Sequence, residues 1–99
     1  MRSMPEAYMD LAELFKLLAN PIRLKIIKTI ETHGQMSIQD LVVKTGVPSL
    51  TLSPHLARLR RLRMLEADRK NGMAYYSISS TIITKTINML ETFSKQNFK

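Results

Sequence analysis

Cysteine is absent from this chain, and acidic residues are few, with eight Asp and Glu among 99 residues. Without cysteine there is no disulfide, no thiol redox switch and no thiolate ligand for a metal. No apolar run approaches the ~20 residues that span a membrane. Acidic side chains such as Glu6 and Asp10 interrupt the N-terminal region, unlike the apolar core of a signal peptide. We therefore expect a cytoplasmic protein.

Positive charge is what the chain has in excess. Fifteen Lys and Arg give a net charge of +7 and a pI near 10.1. This favours a polyanionic partner, because basic side chains near phosphates release condensed counterions. A membrane surface is the competing polyanion, and a functionally neutral basic surface is about as common, so the location of the charge decides. Residues 55–72 contain six basic and two acidic residues, which places more than half of the net charge on one segment.

The N-terminal part of the sequence predicts two helices. A capping box at residues 3–6, with Ser3 and Glu6 as its polar pair, begins the first, which should end near Leu18 or Ala19. A Pro5 in the first turn is tolerated. The second helix begins with Asn20 as its cap and proline at its first position, and Gly34 ends it. Apolar residues recur at helical spacing in the first helix at Tyr8, Leu11, Leu14, Phe15 and Leu18. In the second helix, Leu24, Ile27 and Ile30 are expected to form the buried stripe.

The next two helices have the spacing of a helix-turn-helix. A capping box from Ser37 to Asp40 opens a short third helix, which carries Leu41 and Val42 and ends at Gly46. The fourth helix follows within a few residues, which is typical of a helix-turn-helix. Pro54 leaves two possible starts: near Ser49 with a local distortion, which we favour, or at Ser53 as the cap.

A β-hairpin follows the fourth helix. Strand-like residues on both sides of Asn71-Gly72 predict a type I′ turn, because both central residues need positive φ. A two-residue turn pairs Leu65 with Ile78 and Ala67 with Tyr76 on the face toward the core. Ser79 or Ser80 then caps a last helix. Its broad apolar face comprises Ile82, Ile83, Thr86, Ile87, Leu90 and Phe93.

Helical periodicity divides the fourth helix into two faces. Leu52, Leu56 and Leu59 form the core face, with the stem of Arg63 along its end and His55 at its flank. The opposite face, with the hydroxyls near its start, is predicted to enter a DNA groove: Leu50, Thr51, Ser53, Pro54, Ala57, Arg58 and Arg61.

Base preference follows from the chemistry of this groove face. Its small and apolar side chains can contact a thymine methyl but cannot hydrogen-bond guanine, so we expect A·T-rich half-sites. Arg69, Lys70 and Asn71 at the hairpin tip are predicted to reach the backbone or the adjacent minor groove. The alternative for the arginines of the fourth helix and for the hairpin tip is a surface that contacts only solvent.

The terminal helices predict self-association. One small domain cannot cover all of their apolar surface, so a homodimer interface is expected at Met9, Phe15, Ile83, Ile87, Met89, Leu90 and Phe93.

Three segments together resemble the ArsR/SmtB family of winged-helix repressors. They are LANPIRLKII at residues 18–27, SPHLARLR at 53–60 and MAYYSI at 73–78. The resemblance spans nearly the whole chain and is specific as a set. It implies a homodimer built on the first and last helices that binds an imperfect palindrome in operator DNA. By position, it also implies groove contacts at Ser49, Leu50, Thr51, Ser53, Pro54 and His55.

Two departures from the family pattern affect these expectations. Polar residues usually stand where this chain has Leu50 and Pro54, and His55 could equally be a packing residue with one satisfied nitrogen. Metal sensors of the family use cysteines at the start of the third helix, or Asp and His on the last helix. Residues 36–41 are MSIQDL, and residues 80–98 contain neither Asp nor His. We expect no metal site and no cofactor, as in the metal-free members.

The sequence therefore predicts one winged-helix domain over residues 1–99. It is mainly α-helical, in the order of four helices, two strands and a last helix, and its function is metal-independent repression of transcription. The alternative is a protein-interaction module that has lost DNA binding, which the apolar groove face keeps open. An enzyme is not expected, because no nucleophile with a base, glycine-rich phosphate loop or carboxylate pair with a plausible pocket is evident.

Overall fold

The computed structural model describes residues 5–98. The predicted five helices and the hairpin are confirmed, and one short strand is added between the second and third helices. The elements are α1 Glu6–Leu18, α2 Pro21–His33, β1 Met36–Ser37, α3 Ile38–Thr45, α4 Ser49–Arg61, β2 Leu65–Lys70, β3 Met73–Ile78 and α5 Thr81–Asn97.

Local capping chemistry sets the ends of α2 and α3. The Asn20 side chain accepts hydrogen bonds from the backbone N–H groups of Ile22 and Arg23 at 2.9 and 3.2 Å. Ser37 and Asp40 form the expected reciprocal capping box, with bonds of 3.0 and 3.1 Å. Gly46 ends α3 at φ 73°, a left-handed conformation that a Cβ disfavours. The helix-turn-helix is thus set largely by local side-chain chemistry.

α1 differs from its prediction in what it buries. It begins at Glu6, directly after Pro5, and the predicted capping box with Ser3 lies outside the described residues. Leu17, which was not predicted, is its one fully buried residue. The predicted apolar positions point mostly away from the core: Tyr8, Leu11, Leu14 and Phe15 are exposed.

The core lies where α2, α3, α4 and the sheet meet. In α2 the buried residues are Ile26, Ile27 and Ile30, so the prediction for Leu24 is wrong. Leu24 packs against the core but is only half-buried, because it lies on the side of α2 that faces the groove between α1 and α5. The core comprises Leu17, Ile26, Ile27, Ile30, Met36, Leu41, Leu52, Leu56, Leu59, Met64, Leu65 and Ile87.

The sheet has three antiparallel strands in the order β1, β3, β2. Leu65 pairs with Ile78 and Ala67 with Tyr76, as the two-residue turn predicts. Asn71 and Gly72 have φ of 53° and 79°, the positive values that a type I′ turn requires. β1 pairs Met36 with Tyr76 on the other edge of β3 and so joins the start of α3 to the wing.

α4 ends before Arg63, the residue that was predicted to extend its core face. The helix closes at Arg61, and Arg63 lies in the following turn at φ 63° with an exposed side chain. The prediction that the Arg63 stem extends the core face is therefore wrong. Met64 and Leu65 are buried instead, because the turn redirects the chain into β2. The Ser79 hydroxyl donates to the Arg63 carbonyl and ties this turn to the end of the hairpin.

Candidate nucleic-acid interface

The predicted groove face of α4 lies on the protein surface. Leu52, Leu56 and Leu59 are at most 1% exposed and fix the opposite side of the helix in the core. Leu50, by contrast, is 88% exposed at the N-terminal end of the helix. The exposed set comprises Ser49, Leu50, Thr51, Ser53, Pro54, Ala57, Arg58 and Arg61. One rigid helix therefore presents all of these predicted residues to solvent.

Pro54 lies inside α4, which begins at Ser49 as we favoured. Proline has no backbone N–H, so it cannot donate to the Leu50 carbonyl four residues earlier. That carbonyl belongs to the solvent-facing side of the helix, where water or a ligand can reach it. The two residues that depart from the family pattern are thus adjacent on the exposed face of the first two turns.

The basic side chains of this surface lack acidic partners. Within residues 5–98, every ion pair joins Lys28 or Lys95 to Glu31 or Glu91 on α2 and α5. The arginines that follow Ala57 are exposed and make no such pair in this part of the chain: Arg58, Arg60, Arg61 and Arg63. Their charge is therefore not compensated within the described fold, and the surface attracts anions.

The wing places its basic residues at the hairpin tip. Arg69, Lys70 and Asn71 are all exposed. The Arg69 guanidinium donates to the Gly72 carbonyl at 3.0 Å, and the Lys70 ammonium donates to the Gln35 side chain at 3.0 Å. Lys70 also lies 5.9 Å from the centre of the Tyr75 ring. These contacts orient the cations without neutralising them.

Sequence reasoning missed an apolar cleft beside the groove face. Val43 of α3 is 80% exposed and lines, with Leu50, a shallow depression that also includes Gln39 and Ser53. Val43 lies off the buried face of α3, which is formed by Leu41 and Thr45. An apolar residue away from the buried face of its helix is the sequence signal that could have identified this cleft.

His55 occupies the flank of α4 and is half-buried. Its Nδ1 accepts a hydrogen bond of 3.1 Å from Nε of Arg23 on α2. Of the predicted groove residues, it alone is bonded to another helix in the described part of the chain. Arg23 and His55 lie in two separate family-like segments, residues 18–27 and 53–60, and nothing in their spacing indicated the contact.

A second apolar surface lies on α1 and α5. Phe15 and Leu90 are 50% and 51% exposed, and they border a groove of about 690 Å³ whose other walls include Leu24 and Lys28 of α2. Two of the predicted interface residues lie inward instead. Ile87 is 8% exposed and belongs to the core, and Ile83 is partly buried and packs against the core. Met9, Met89 and Phe93 are exposed, as an interface requires.

Among residues 5–98, no three His, Asp or Glu side chains converge in a set that could hold a metal ion. In the same range, no helix combines the length and apolar character needed to cross a membrane.

Comparison with known proteins identifies the family. The sequence profile described as "Bacterial regulatory protein, arsR family" matches residues 20–67, which run from the cap of α2 into the wing. The transcriptional repressor PagR of Bacillus anthracis is 33% identical over 81 residues, covering 82% of this chain and 81% of PagR. The chain belongs to the arsR family. This confirms the resemblance noted from the sequence and the expectation of a regulatory protein rather than an enzyme.

Other relatives and solved structures match along most of the chain. The transcriptional repressor SdpR of Bacillus subtilis is 28% identical over 80 residues, covering 81% of this chain and 88% of SdpR. The crystal structure of Rv0081 from M. tuberculosis superimposes with a TM-score of 0.83 at 28% identity, covering 94% of this chain and 93% of that one. The solution structure of a fragment of Mb0332 from Mycobacterium bovis, described as a winged helix-turn-helix DNA-binding domain, superimposes with a TM-score of 0.83 at 23% identity, covering 100% of this chain and 92% of that one. This likeness confirms the predicted winged helix-turn-helix fold.

Proposed function

We propose that the protein is a homodimeric transcriptional repressor that binds an A·T-rich imperfect palindrome and uses no metal or thiol as its sensor. The observation that carries this proposal is the exposed groove face of α4, flanked by arginines without ion-pair partners in residues 5–98. Both PagR and SdpR are named as transcriptional repressors, which supports repression rather than activation.

The placement of each element supports the role that is proposed for it. The hydroxyl groups of Ser49, Thr51 and Ser53 lie at the N-terminal end of α4, where a recognition helix meets base edges. Arg58 and Arg61 supply charge to bases or phosphates further along the helix. The cations Arg69 and Lys70 of β2, with Asn71 of the turn, contact the backbone or the adjacent minor groove. In this proposal residues 1–99 act as one DNA-binding domain.

Base preference is proposed from the apolar part of the groove face. Leu50, Pro54 and Ala57 are exposed and carry no side-chain donor that could read guanine. Apolar contact with the thymine methyl is the readout open to them. DNA shape supplies further discrimination, because narrow A·T minor grooves attract the cations of the wing.

Dimerisation is proposed from the exposed apolar side chains of α1 and α5. Tyr8 of α1 and Met89 of α5 are 64% and 74% exposed, in addition to Phe15, Leu90 and Phe93. Large contiguous apolar patches on a small domain usually mark an interaction surface. A second copy covers both helices at once, and its two-fold axis gives two recognition helices for a palindromic site.

Selection of bound duplexes from a randomised DNA pool tests the proposal. The expected product is a two-fold symmetric, A·T-rich site whose half-sites lie about one helical turn apart. Enrichment that follows G·C content would contradict the proposed base preference. No enrichment at all would favour the alternative, in which the exposed Leu50, Pro54 and Ala57 bind a protein partner. A sedimentation run in parallel that shows only an 11.4 kDa species at micromolar concentration would contradict the dimer.

A further inference from the structure

The guanidinium of Arg23 connects three helices. Its Nη1 donates to the Leu17 carbonyl near the end of α1 over 3.0 Å, and its Nε donates to Nδ1 of His55 on α4 over 3.1 Å. The Leu17 carbonyl lies in the last turn of α1, where carbonyls lack a partner within the helix. The Arg23 backbone N–H is itself held by the cap residue Asn20 at 3.2 Å. One side chain thus joins the end of α1, the start of α2 and the recognition helix.

The direction of the Arg23–His55 bond defines the state of the imidazole. An arginine side chain has only donors, so Nδ1 of His55 must accept through its lone pair. An imidazolium carries N–H groups on both nitrogens and cannot accept. The ring in this contact is therefore neutral, with its proton on Nε2.

The remaining N–H of His55 is accessible to a ligand. Nε2 has no hydrogen-bond partner among residues 5–98, and no buried side-chain nitrogen or oxygen in that range lacks a partner. Because the ring is only half-buried, this N–H reaches solvent. It lies at the flank of α4 rather than on the line of Leu50, Pro54 and Ala57. About half or more of protein–DNA hydrogen bonds go to phosphate oxygens and sugars, so a phosphate is a more common acceptor for such a donor than a base edge.

We propose, on the basis of the DNA-binding function above, that Arg23 is a positioning residue which holds His55 in its Nε2–H tautomer for a DNA phosphate. His55 then donates one hydrogen bond without contributing charge. The same contact couples the end of α1, in the proposed dimer surface, to the recognition helix. Lysine could not replace Arg23 fully, because its single ammonium lacks the planar fork that serves two acceptors on different helices.

Nuclear magnetic resonance of the ¹⁵N-labelled protein without DNA tests the tautomer directly. At a pH where the ring is neutral, long-range ¹H–¹⁵N correlations are expected to show a protonated Nε2 and an unprotonated Nδ1 for His55. His33 is an internal control, because it is exposed at the end of α2 and has no side-chain hydrogen bond to residues 5–98. In Arg23→Gln, His55 should change to an averaged tautomer pattern like that of His33. Averaging already in the wild type would overturn the proposal.

Two substitutions of His55 separate its two nitrogens. The Asn side-chain oxygen stands near the position of Nδ1, so His55→Asn keeps an acceptor for Arg23 and loses the outward donor. The Gln amide stands near Nε2, so His55→Gln keeps a donor and loses the acceptor. We expect His55→Asn to bind operator about ten-fold more weakly, the effect of one hydrogen bond to a charged acceptor. His55→Gln should retain more of the affinity.

The salt dependence distinguishes this neutral donor from a cation. The His55→Asn loss should be the same for all operator sequences and leave the slope of log K against log salt unchanged, whereas removing a cationic contact lowers the slope by about one. Wild-type affinity in a folded His55→Asn would overturn the phosphate contact. Arg23→Lys, which can keep the Leu17 bond, provides a second variant if Arg23→Gln unfolds. If the wild type binds no DNA, the proposed function fails, while the tautomer measurement still shows whether Arg23 controls His55.

Discussion

Lys28 and Glu91 form an ion pair of 3.0 Å that joins α2 to α5. Lys28 also lies 3.5 Å from Glu31 and donates to the Asn88 amide oxygen, and Asn88 in turn donates to Glu31. The hydrogen bond and charge of Lys28 lower the pKa of Glu91, and the hydrogen bond that Lys28 donates to Glu91 is the main cause that raises the pKa of Lys28. This network fixes α5, a proposed dimer helix, on the helix that supports the core.

The first prediction concerns the pH dependence of this network. The pKa of Glu91 in the folded protein lies below its ordinary value of 4.5, so its contribution to stability is complete above that pH and is lost as the pH falls through the lowered pKa. Glu91→Gln should therefore lower the thermal midpoint slightly at pH 7, because a surface pair contributes little. The difference from the wild type should disappear in acid.

Glu66→Gln is the matched control for this measurement. Glu66 is an exposed carboxylate on β2 and makes no ion pair within residues 5–98. Its variant should follow the wild type at both pH values in thermal melts. Equal thermal midpoints for Glu91→Gln and the wild type at pH 7 would contradict the stabilising role of the Lys28–Glu91 pair.

The features that the sequence predicted well are those with local causes. Asn20 caps α2 through atoms two and three residues away, and Ser37 with Asp40 caps α3 in the same way. Asn71 and Gly72 determine a two-residue turn, and that turn alone sets the register of Leu65 with Ile78. In each case one short segment contains all the interacting groups.

The features that the sequence did not predict depend on distant segments. β1 has two residues and exists because Met36 and Ser37 pair with β3. The contact of Arg23 with His55 joins residues that are 32 positions apart. Ile83 and Met89 were both predicted at the dimer interface, but only the packed fold shows that Ile83 lies against the core and Met89 on the surface.

The second prediction tests the proposed dimer surface. Phe15→Glu and Leu90→Glu place a carboxylate on the groove between α1 and α5, where both residues are about half exposed in the single chain. Each monomer should still fold. An unpaired charge buried at an interface costs about 3–5 kcal/mol. Sedimentation at micromolar concentration should therefore show weakened dimers that dissociate into monomers, and operator binding should be reduced in parallel.

Leu62→Glu is the control for these variants. Leu62 is 43% exposed and follows α4, away from the groove between α1 and α5. It introduces the same change of charge and should leave the dimer intact. Dimers of unchanged stability in both Phe15→Glu and Leu90→Glu would place the self-association surface elsewhere.

The third prediction concerns the unpaired arginines of α4. Arg58→Ala and Arg61→Ala should each weaken operator binding and, if the lost contact is to phosphate, reduce the slope of log K against log salt by about one unit. Lys85→Ala on α5 is the control, because it removes an exposed cation that lies outside the recognition helix and wing. Its affinity and slope should match those of the wild type. Unchanged values for Arg58→Ala and Arg61→Ala would make both residues part of a solvated face.

The fourth prediction tests thymine-methyl readout by Leu50. Replacing thymine by uracil in the selected operator removes only the methyl group and leaves every hydrogen-bonding edge unchanged. A buried methyl or methylene contributes about 0.8 kcal/mol, so the wild type should bind about four-fold more weakly for each contacted thymine that is replaced. Leu50→Ala should bind the thymine operator more weakly and lose its sensitivity to uracil at the same position.

Leu62→Ala controls for the loss of apolar surface, since it removes the same atoms outside the groove face. It should keep the full response to uracil. A double-mutant comparison of protein and DNA then isolates the contact, because the two changes are additive only when the side chain and the methyl do not touch. Additive losses for Leu50→Ala and uracil at every thymine would assign the A·T preference to DNA shape and the wing instead of to Leu50.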